Sequence, residues 1–335
     1  MLKSCFAPFV SESQDENEND DSNAPPPFFQ LFETLVQHER FVDEASGRTI
    51  SYGIGGDPKG SPILVFPPLS AKHRMLVMMH DDLVQASLKA ICVNRPGIHG
   101  TSPSKDAVDH LNLVMQDALA VLDKLEIPKV GILCMCAGTT YALKLYTAHP
   151  ERTTRRILGL APWTLPADCP HSRGLYKFAA NRLPRLAVGG LVSKMEMTMM
   201  GFVSKETIAS KIDETCSEEE SEYLKDKLSK SPHKQSFPQV LEWMMEDSSE
   251  RNAMEVAVCL SSSQDFELDY RQVDGTIVIW QGDKDNMAPV QATQWLANQF
   301  GTPGKVFFVD KGTHSGALFV LDSRISQAFH MLKEQ

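Results

Sequence analysis

The sequence lacks the features that mark several specialised classes of protein. No run approaches the roughly 18 apolar residues that a membrane-spanning helix needs. Lysine and arginine form no cluster of the kind that binds nucleic acid, and the net charge is −10. Hydrophobic residues make up 42% and charged residues 23% of the 335 residues, which excludes a wholly disordered, collagen-like or coiled-coil chain. We therefore expect a globular protein without a membrane span and without a nucleic-acid partner.

A disulfide framework is also missing. The seven cysteines are odd in number and irregularly spaced, and several lie inside apolar, strand-like runs. This pattern is typical of reduced thiols in an intracellular protein, so we expect a cytoplasmic location. Cys134 and Cys136 are separated by a single residue, which is the wrong spacing for a zinc-binding pair, and no cluster of histidine and cysteine accompanies them. No metal site is expected.

The first 27 residues are predicted to form a disordered acidic tail. Residues 11–27 are polar, include six acidic residues and end in three prolines. Such a segment cannot bury enough apolar surface to offset the entropy lost on ordering. The apolar stretch 5–10 is too short for the core of a signal peptide. An apolar cluster that begins at Phe28 marks the expected start of ordered structure.

After this tail, short apolar runs alternate with helical patterns. The runs span residues 40–44, 49–55, 62–67, 89–94, 129–134, 155–160, 276–281 and 305–309. The later runs are apolar almost throughout, as is typical of central strands covered on both faces. The clearest helical pattern covers residues 106–126, where apolar residues recur three and four positions apart. The alternation predicts an α/β fold built on a mostly parallel sheet of eight strands.

An insertion at residues 162–262 interrupts the alternation. The helical patterns within it span residues 173–182, 190–202, 217–230 and 237–247. Ser217 and Glu220 form a capping-box pattern at the start of the third. We interpret the insertion as a helical cap after strand six, so that the sheet domain comprises residues 28–161 and 263–335. The many methionines of the cap fit either plain core packing or an adaptable apolar roof over a substrate.

A candidate nucleophile follows the fifth apolar run. Cys136 precedes the small residues Ala137 and Gly138, and a helix is predicted from Tyr141 to His149. Ligands of parallel sheets gather at the carboxyl ends of strands, and a side chain in a tight turn between strand and helix protrudes there. A helix N-terminus and a nearby imidazole both favour the reactive thiolate form of cysteine. Taken alone, Cys136 would instead be interpreted as a buried structural residue.

Two later strand ends carry an acid and a histidine. Asp285 follows the seventh apolar run, and His314 lies in a turn of small residues after the eighth. A carboxylate in this position can accept the N–H of the histidine and fix its tautomer. Asp283 is the competing acid because it lies only two residues away, and His314 alone could be an ordinary surface residue. The chain order is nucleophile, acid, histidine.

Residues 40–333 resemble the α/β-hydrolase superfamily. The resemblance rests on the order of the eight strands, the position of the cap and the order of the three candidate catalytic residues. Three stretches are also similar to the superfamily: the loop Asn94–Ser102 after strand four, the segment Ala148–Arg152 after the nucleophile helix, and the acid loop Gly282–Asp285. Within the first of these, His99 is expected to have a structural role.

The sequence departs from the superfamily's pattern in two places. The usual Gly-x-Ser-x-Gly reads Cys-Met-Cys-Ala-Gly, so Cys136 stands at the serine position, as in members similar to dienelactone hydrolase. The His-Gly that follows strand three in many members reads Pro67-Pro68-Leu69. Since proline has no N–H, Leu69 is the residue of this stretch that can donate to an oxyanion, with Ala137 as the second donor.

The resemblance implies hydrolysis of an ester, thioester or lactone-like bond in a small apolar substrate, without a metal or organic cofactor. Cys136 would attack the carbonyl, His314 would shuttle the proton and Asp285 would orient His314. Two alternatives stay open: acyl transfer or cyclisation through the same acyl-enzyme, and a catalytically inactive protein that binds a small apolar ligand. The oligomeric state also stays open. Cys134 is expected to be a packing residue, and Arg95 to bind backbone carbonyls or a carboxylate within the fold.

Overall fold

One sheet of eight strands runs through the protein. The computed structural model describes residues 27–182, 216–231, 239–240, 243, 253–321 and 323–333. The strands are β1 (Val36–Val42), β2 (Thr49–Gly56), β3 (Ser61–Phe66), β4 (Leu88–Val93), β5 (Val130–Met135), β6 (Thr153–Leu160), β7 (Thr276–Gly282) and β8 (Lys305–Val309). Their order in the sheet is β1-β2-β4-β3-β5-β6-β7-β8. Strand β2 is antiparallel to both of its neighbours, and the other neighbouring pairs are parallel, so the predicted fold class is confirmed.

Helices connect the strands and cover the sheet. They are α1 (Pro27–Leu35), α2 (His80–Gln85), α3 (Ala107–Lys124), α4 (Gly138–Ala148), α5 (Gly174–Arg182), α6 (Glu218–Lys230), α7 (Ala253–Cys259), α8 (Val290–Gln299) and α9 (Ser323–Ala328), and a 3-10 helix covers His73–Met79. The predicted helix over residues 106–126 corresponds to α3, whose first turn is capped by the side chain of Asp106. None of the described helices is long and apolar enough to cross a membrane.

The apolar strands fill two cores, one on each face of the sheet. In β3, Ile63 and Val65 belong to one core cluster, whereas Leu64 and Phe66 belong to the other. All six residues of β5 are buried. Alternate side chains of a strand point to opposite faces, so a strand covered on both faces must be apolar at every position. This requirement explains why the central strands could be found from uninterrupted apolar runs.

The first strand is the one whose extent differs most from the prediction. Strand β1 begins at Val36, four residues before the predicted start at residue 40. It lies at the edge of the sheet, and the side chains from Gln37 to Arg40 are exposed. The strand is defined by its pairing with β2, which runs from Val36 opposite Gly55 to Val42 opposite Thr49. The hydrophobicity of its residues contributes little. A sequence pattern based on burial therefore misses its first half.

The described part of the insertion between β6 and β7 contains helices and no strand, as predicted. Helix α5 matches the pattern at 173–182, and α6 matches the pattern at 217–230 with both hydrogen bonds of the Ser217–Glu220 capping box present. The pattern at 190–202 lies outside the described residues, as do the predicted tail up to residue 26 and all but three positions of the pattern at 237–247. The methionines expected to line the cap also lie outside the described residues.

Helix α6 is fastened to the sheet domain by polar contacts. Lys227 Nζ lies 2.7 Å from Asp82 Oδ2 and donates to the carbonyl oxygen of Leu321 at 3.1 Å. Ser231 Oγ donates to Asp81 Oδ2 at 2.6 Å. These contacts hold α6 against α2 and against the segment that precedes α9, which places the N-terminus of α6 near the loop after β8.

Candidate active site

Cys136 occupies a tight turn between β5 and α4. Its φ of 46° lies in the left-handed region that residues other than glycine rarely adopt. Its N–H donates to the carbonyl oxygen of Leu160 at 3.1 Å, and its own carbonyl accepts from the N–H of Trp163 at 3.0 Å. A non-glycine residue persists in this strained conformation when the surrounding structure holds it there. The turn places Cys136 at the carboxyl edge of the sheet, beside the first turn of α4.

Helix α4 begins at Gly138, three residues before the predicted start at Tyr141. Gly138 is a poor helix former, so the sequence favours a later start. Its presence has a steric reason: a Cβ added at this position would lie 2.1 Å from the carbonyl oxygen of Phe66, at the end of β3. The glycine lets the start of α4 touch the chain that leaves β3. Close contact between these two segments is what an oxyanion site built from both would require.

Asp285 and His314 are joined by a short hydrogen bond. Asp285 Oδ2 lies 2.6 Å from His314 Nδ1, and the Asp285 side chain is fully buried. The second carboxylate oxygen accepts from the N–H groups of Met287 and Ala288 at 2.7 and 2.8 Å. Gln281 Nε2 also donates to Oδ2, at 2.6 Å. Four donors therefore fix the carboxylate, and Asp285, rather than its rival Asp283, contacts the histidine.

Cys136 and Asp285 both act on the ring of His314. Its Nε2 is buried and has no hydrogen-bond partner among the described residues. Burial lowers the pKa of His314, but the charge of Cys136, the hydrogen bond to Asp285 and the charge of Asp285 together raise that pKa to about 10. A raised pKa favours the imidazolium form of His314. The sequence-predicted Cys136, Asp285 and His314 are thus brought together in one cluster.

The chain that leaves β3 forms one wall of this cluster. Leu69 is half-buried and packs against the core cluster that contains Cys136 and Ala137. Within the described residues, the backbone N–H groups of Leu69 and Ala137 have no hydrogen-bond acceptor. Ala137 is the N-cap of α4, where helices leave such groups free and carry partial positive charge. Both predicted oxyanion donors therefore have N–H groups to offer.

Arg95 fixes the shape of this wall. Its buried guanidinium donates to the carbonyl oxygens of Pro67 and Pro68 at 2.9 and 2.6 Å. Its Nε donates to Glu255 Oε1 at 2.8 Å, and Glu255 Oε2 accepts from the N–H of Ser70 at 2.7 Å. The expectation that Arg95 binds carbonyls and a carboxylate is confirmed. Sequence analysis missed Glu255, because nothing in a short helix 160 residues away in sequence indicates this pairing.

The sequence predicted one of the two roles of Glu220. Its capping-box role at the start of α6 is present as predicted. The same carboxylate also accepts hydrogen bonds from Thr313, the residue before His314. The cap helix and the histidine loop are therefore joined at one side chain, and the capping-box pattern gave no signal of this second role.

Cys134 lies under the turn and is part of the core. Its side chain is buried, and burial raises the pKa of its thiol to about 12. A Cβ added at Gly159 would lie 3.7 Å from its sulfur, so the thiol packs against β6. This supports the expectation of a packing residue. The two cysteines of the Cys-Met-Cys sequence thus occupy different environments.

Cavities of about 400 and 390 Å³ are among those that open on the described surface. The first lies between α2, α6 and α9 and is lined mostly by polar side chains, including Asp82 and Lys227. The second lies beside β1 and Trp243. Neither is lined by Cys136 or His314. The catalytic candidates therefore lie apart from both cavities.

Solved structures with the same architecture identify the fold. An α/β-hydrolase fold protein from Chitinophaga pinensis superposes with a TM-score of 0.59 at 13% identity, over 89% of this chain and 98% of its own. An α/β-hydrolase fold protein from Nakamurella multipartita superposes with a TM-score of 0.55 at 20% identity, over 88% of this chain and 98% of its own. An N-acyl homoserine lactone degrading enzyme superposes with a TM-score of 0.53 at 17% identity, over 87% of this chain and 98% of its own. The chain has the α/β-hydrolase fold.

The α/β-hydrolase fold is recognised from the structure and not from a sequence match. No protein-family model matches the chain, and no curated protein matches it. Identities of 13–20% to the structures above show the fold alone. Within this fold, Cys136 follows the fifth strand, Asp285 the seventh and His314 the eighth, which is the order of the α/β-hydrolase triad.

Proposed function

We propose that this protein is a hydrolase that cleaves an ester, thioester or lactone-like bond of a small apolar substrate through Cys136, His314 and Asp285. The observation that carries the proposal is the buried pair of Asp285 and His314 beside Cys136. Asp285 Oδ2 lies 2.6 Å from His314 Nδ1, and the charge of Cys136 acts to raise the pKa of the same ring. A nucleophile, a base and an orienting acid in this arrangement are what acyl transfer requires.

The proposed reaction proceeds through an acyl-enzyme. The Cys136 thiolate attacks the substrate carbonyl carbon, a carbon–sulfur bond forms, and the carbonyl oxygen becomes an oxyanion held by the N–H groups of Ala137 and Leu69. The bond to the leaving group breaks, and the imidazolium of His314 gives that group its proton. Neutral His314 then takes a proton from water, which attacks the thioester. The carbon–sulfur bond breaks, the acid product leaves, and the Cys136 thiolate and the His314 imidazolium are restored.

A similar structure supports the bond class in the proposal. One of the similar folds belongs to an N-acyl homoserine lactone degrading enzyme, which is consistent with a lactone-like substrate for this chain. Acyl transfer or cyclisation uses the same acyl-enzyme and differs in the acceptor alone.

Intact-protein mass spectrometry after incubation with activated esters tests the proposal. We expect p-nitrophenyl butyrate to add one butyryl group to the wild type and none to Cys136→Ala. Cys216→Ala is the matched control, because Cys216 has a similar exposure of 8%, and it should keep the adduct. An adduct that persists in Cys136→Ala, or the absence of any adduct and any released acid in the wild type, would contradict the proposal.

The fate of the acyl group separates the remaining alternatives. Hydrolysis predicts that the adduct decays to butyric acid in buffer alone. Decay that requires an added alcohol, amine or thiol would instead indicate a transferase. Saturable binding of the ester without adduct or product would indicate a ligand-binding protein.

A further inference from the structure

Three histidines meet beside the edge strand β1. His38 lies in β1, His73 begins the 3-10 helix after β3, and His99 lies in the loop after β4. One ring nitrogen of each lies within 4.8 Å of the others. The ring centroids are 4.5 Å apart for His38 and His99, and 4.8 Å apart for each of the other two pairs.

The local backbone explains why the rings come together. His38 stands directly opposite Gly53 in the pairing of β1 with β2. A Cβ added at Gly53 would lie 2.6 Å from atoms of the His73 side chain, so the glycine makes room for that ring over β2. His99 has a φ of 48°, in the left-handed region, and its loop turns it back towards β1. Three separate segments thus converge on one point.

The buried member of the cluster is already oriented. Asn94 Oδ1 accepts from the His73 backbone N–H at 2.9 Å, and Oδ1 and Nδ2 of Asn94 lie 3.1 and 2.9 Å from His73 Nδ1. Asn94 is held in turn by Ser51, whose Oγ accepts from Nδ2 at 2.8 Å. A polar partner that fixes the orientation of the ring is usual for a metal-binding histidine, and Asn94 supplies this support to His73.

The surroundings leave space for a metal with additional ligands. The cavity of about 390 Å³ is lined by all three histidines and by the carboxylate residue Glu33. Arg74 lines it too, but its Nη1 donates to the carbonyl oxygen of Trp243 at 2.8 Å and its guanidinium lies 5.0 Å from the Trp243 ring. These two contacts hold the positive charge of Arg74 against Trp243. Water or Glu33 can complete the coordination of an ion bound by three imidazoles.

We propose that His38, His73 and His99 bind a divalent transition metal, for which zinc is the reference ion. Imidazole nitrogen suits zinc, cobalt, nickel and copper, whereas magnesium and calcium prefer oxygen ligands. Zinc–nitrogen bonds of about 2.0–2.1 Å in tetrahedral geometry separate the ligand atoms by roughly 3.3 Å. The ligand atoms, which lie within 4.8 Å of one another, therefore have to close by up to about 1.5 Å. The exposed side chain of His38 on the edge strand and the half-buried His99 in its loop can supply this movement.

The site would join the edge strand β1 to the segment that leads away from Leu69. His73 is four residues from Leu69, and Asn94 neighbours Arg95, which holds the Pro67 carbonyl. We therefore assign the metal a structural role at the edge of the sheet, separate from the proposed reaction. The sequence contains no indication of a metal, because the three histidines come from separate segments and have no local spacing pattern.

Calorimetric titration of the full chain, produced without a polyhistidine tag and stripped with a chelator, tests the site. We expect one zinc ion per chain with micromolar or tighter affinity, a rise in melting temperature on zinc addition, and no binding of magnesium. His38→Ala should weaken zinc binding at least tenfold and keep the fold, because the side chain is exposed. His171→Ala removes an exposed histidine outside the cluster and should change nothing.

Cobalt spectroscopy distinguishes this site from binding at the catalytic thiol. Three imidazoles predict a visible cobalt spectrum without a sulfur-to-metal charge-transfer band, unchanged in Cys136→Ala. Zinc binding that survives in His38→Ala and in the conservative variant His99→Gln, or that is lost in Cys136→Ala, would overturn the assignment. A zinc affinity of the wild type no higher than that of a protein without a metal site would also overturn the assignment. None of these results depends on whether the protein hydrolyses esters.

Discussion

Glu220, on helix α6 of the insertion, binds both polar groups of Thr313, the residue before His314. Oε1 accepts from the Thr313 N–H at 2.8 Å, and Oε2 accepts from the Thr313 hydroxyl at 2.8 Å. Oε2 also accepts from the N–H of Ser217 at 2.8 Å. One carboxylate therefore ties the start of α6 to the loop that carries the histidine. We infer that Glu220 positions His314 without touching the substrate.

Glu220→Gln is expected to lower kcat roughly tenfold and to leave KM unchanged. The amide keeps the size of the side chain but replaces an accepting oxygen with a donor, so the histidine loop loses part of its support, and small displacements of a catalytic group are costly. Steady-state kinetics with an activated ester measure the effect. Glu219→Gln is the matched control, because Glu219 is exposed and pairs with the exposed Lys311. Equal losses in both variants would contradict a positioning role.

The pKa of His314 is expected to fall in Cys136→Ala and in Asp285→Asn. Burial lowers this pKa, and Cys136 and Asp285 are the groups that raise it, so removing either leaves burial less opposed. Because the folded pKa lies above the unfolded value of about 6.5, protonated His314 stabilises the fold below that pH. The contribution is lost as pH rises through the folded pKa. NMR titration of labelled histidine measures the pKa of His314 in each variant. An unchanged pKa in Cys136→Ala would show that the thiol does not interact with the His314 ring.

Glu255→Gln is expected to destabilise the protein by about 3–5 kcal/mol, because it leaves the buried Arg95 charge without its partner. The side chains of both residues are only 1% exposed. Asp123→Asn is the control: it breaks the ion pair with Arg152, in which the Asp123 side chain is 68% exposed, and should cost about 0–1 kcal/mol. Urea unfolding measures both changes. A loss in Glu255→Gln no larger than in the control would show that the wall beside Cys136 does not depend on this pair.

The central sheet could be predicted from sequence because burial on both faces leaves an unambiguous pattern. Strands β3 to β8 coincide with apolar runs to within about two residues. Most positions of β3, β4 and β5 face one of the two cores, whereas β8 is apolar although three of its five residues are exposed. Strand β1 was found only in part because its side chains face solvent at the sheet edge. Its start depends on pairing with β2, and pairing partners leave no local signal.

The candidate catalytic residues could be located for a different reason. Cys136, Asp285 and His314 each follow a strand end, and strand ends of a parallel sheet converge on one edge. Their supporting residues could not be located in this way. Glu255 and Glu220 come from helices of the insertion, and their partners Arg95 and Thr313 are separated from them by 160 and 93 residues. Only the folded packing brings these charges together.

Gly138→Ala is expected to reduce esterase activity strongly, because the added methyl group would lie 2.1 Å from the Phe66 carbonyl oxygen. The start of α4 and the chain after β3 would have to separate, which moves the Ala137 and Leu69 N–H groups apart. Gly174→Ala is the control, because a Cβ there meets nothing within 4 Å. Activity per folded molecule, with folding checked by circular dichroism, is the measurement. Wild-type activity in Gly138→Ala would argue against an oxyanion site built from these two segments.

Iodoacetamide at pH 6 is expected to alkylate Cys136 before the other described cysteines. Iodoacetamide reacts with thiolate, and the proposed mechanism requires Cys136 to attack as the thiolate. Accessibility does not explain such a preference, because Cys136, Cys259 and Cys216 are 6%, 7% and 8% exposed. Peptide mapping identifies the labelled residue, and His314→Ala should slow the labelling of Cys136 while leaving the other two rates unchanged. If Cys136 stays inert at pH 6 and also towards the smaller methyl methanethiosulfonate at pH 9, it is a structural cysteine, and the ligand-binding alternative then replaces the hydrolase.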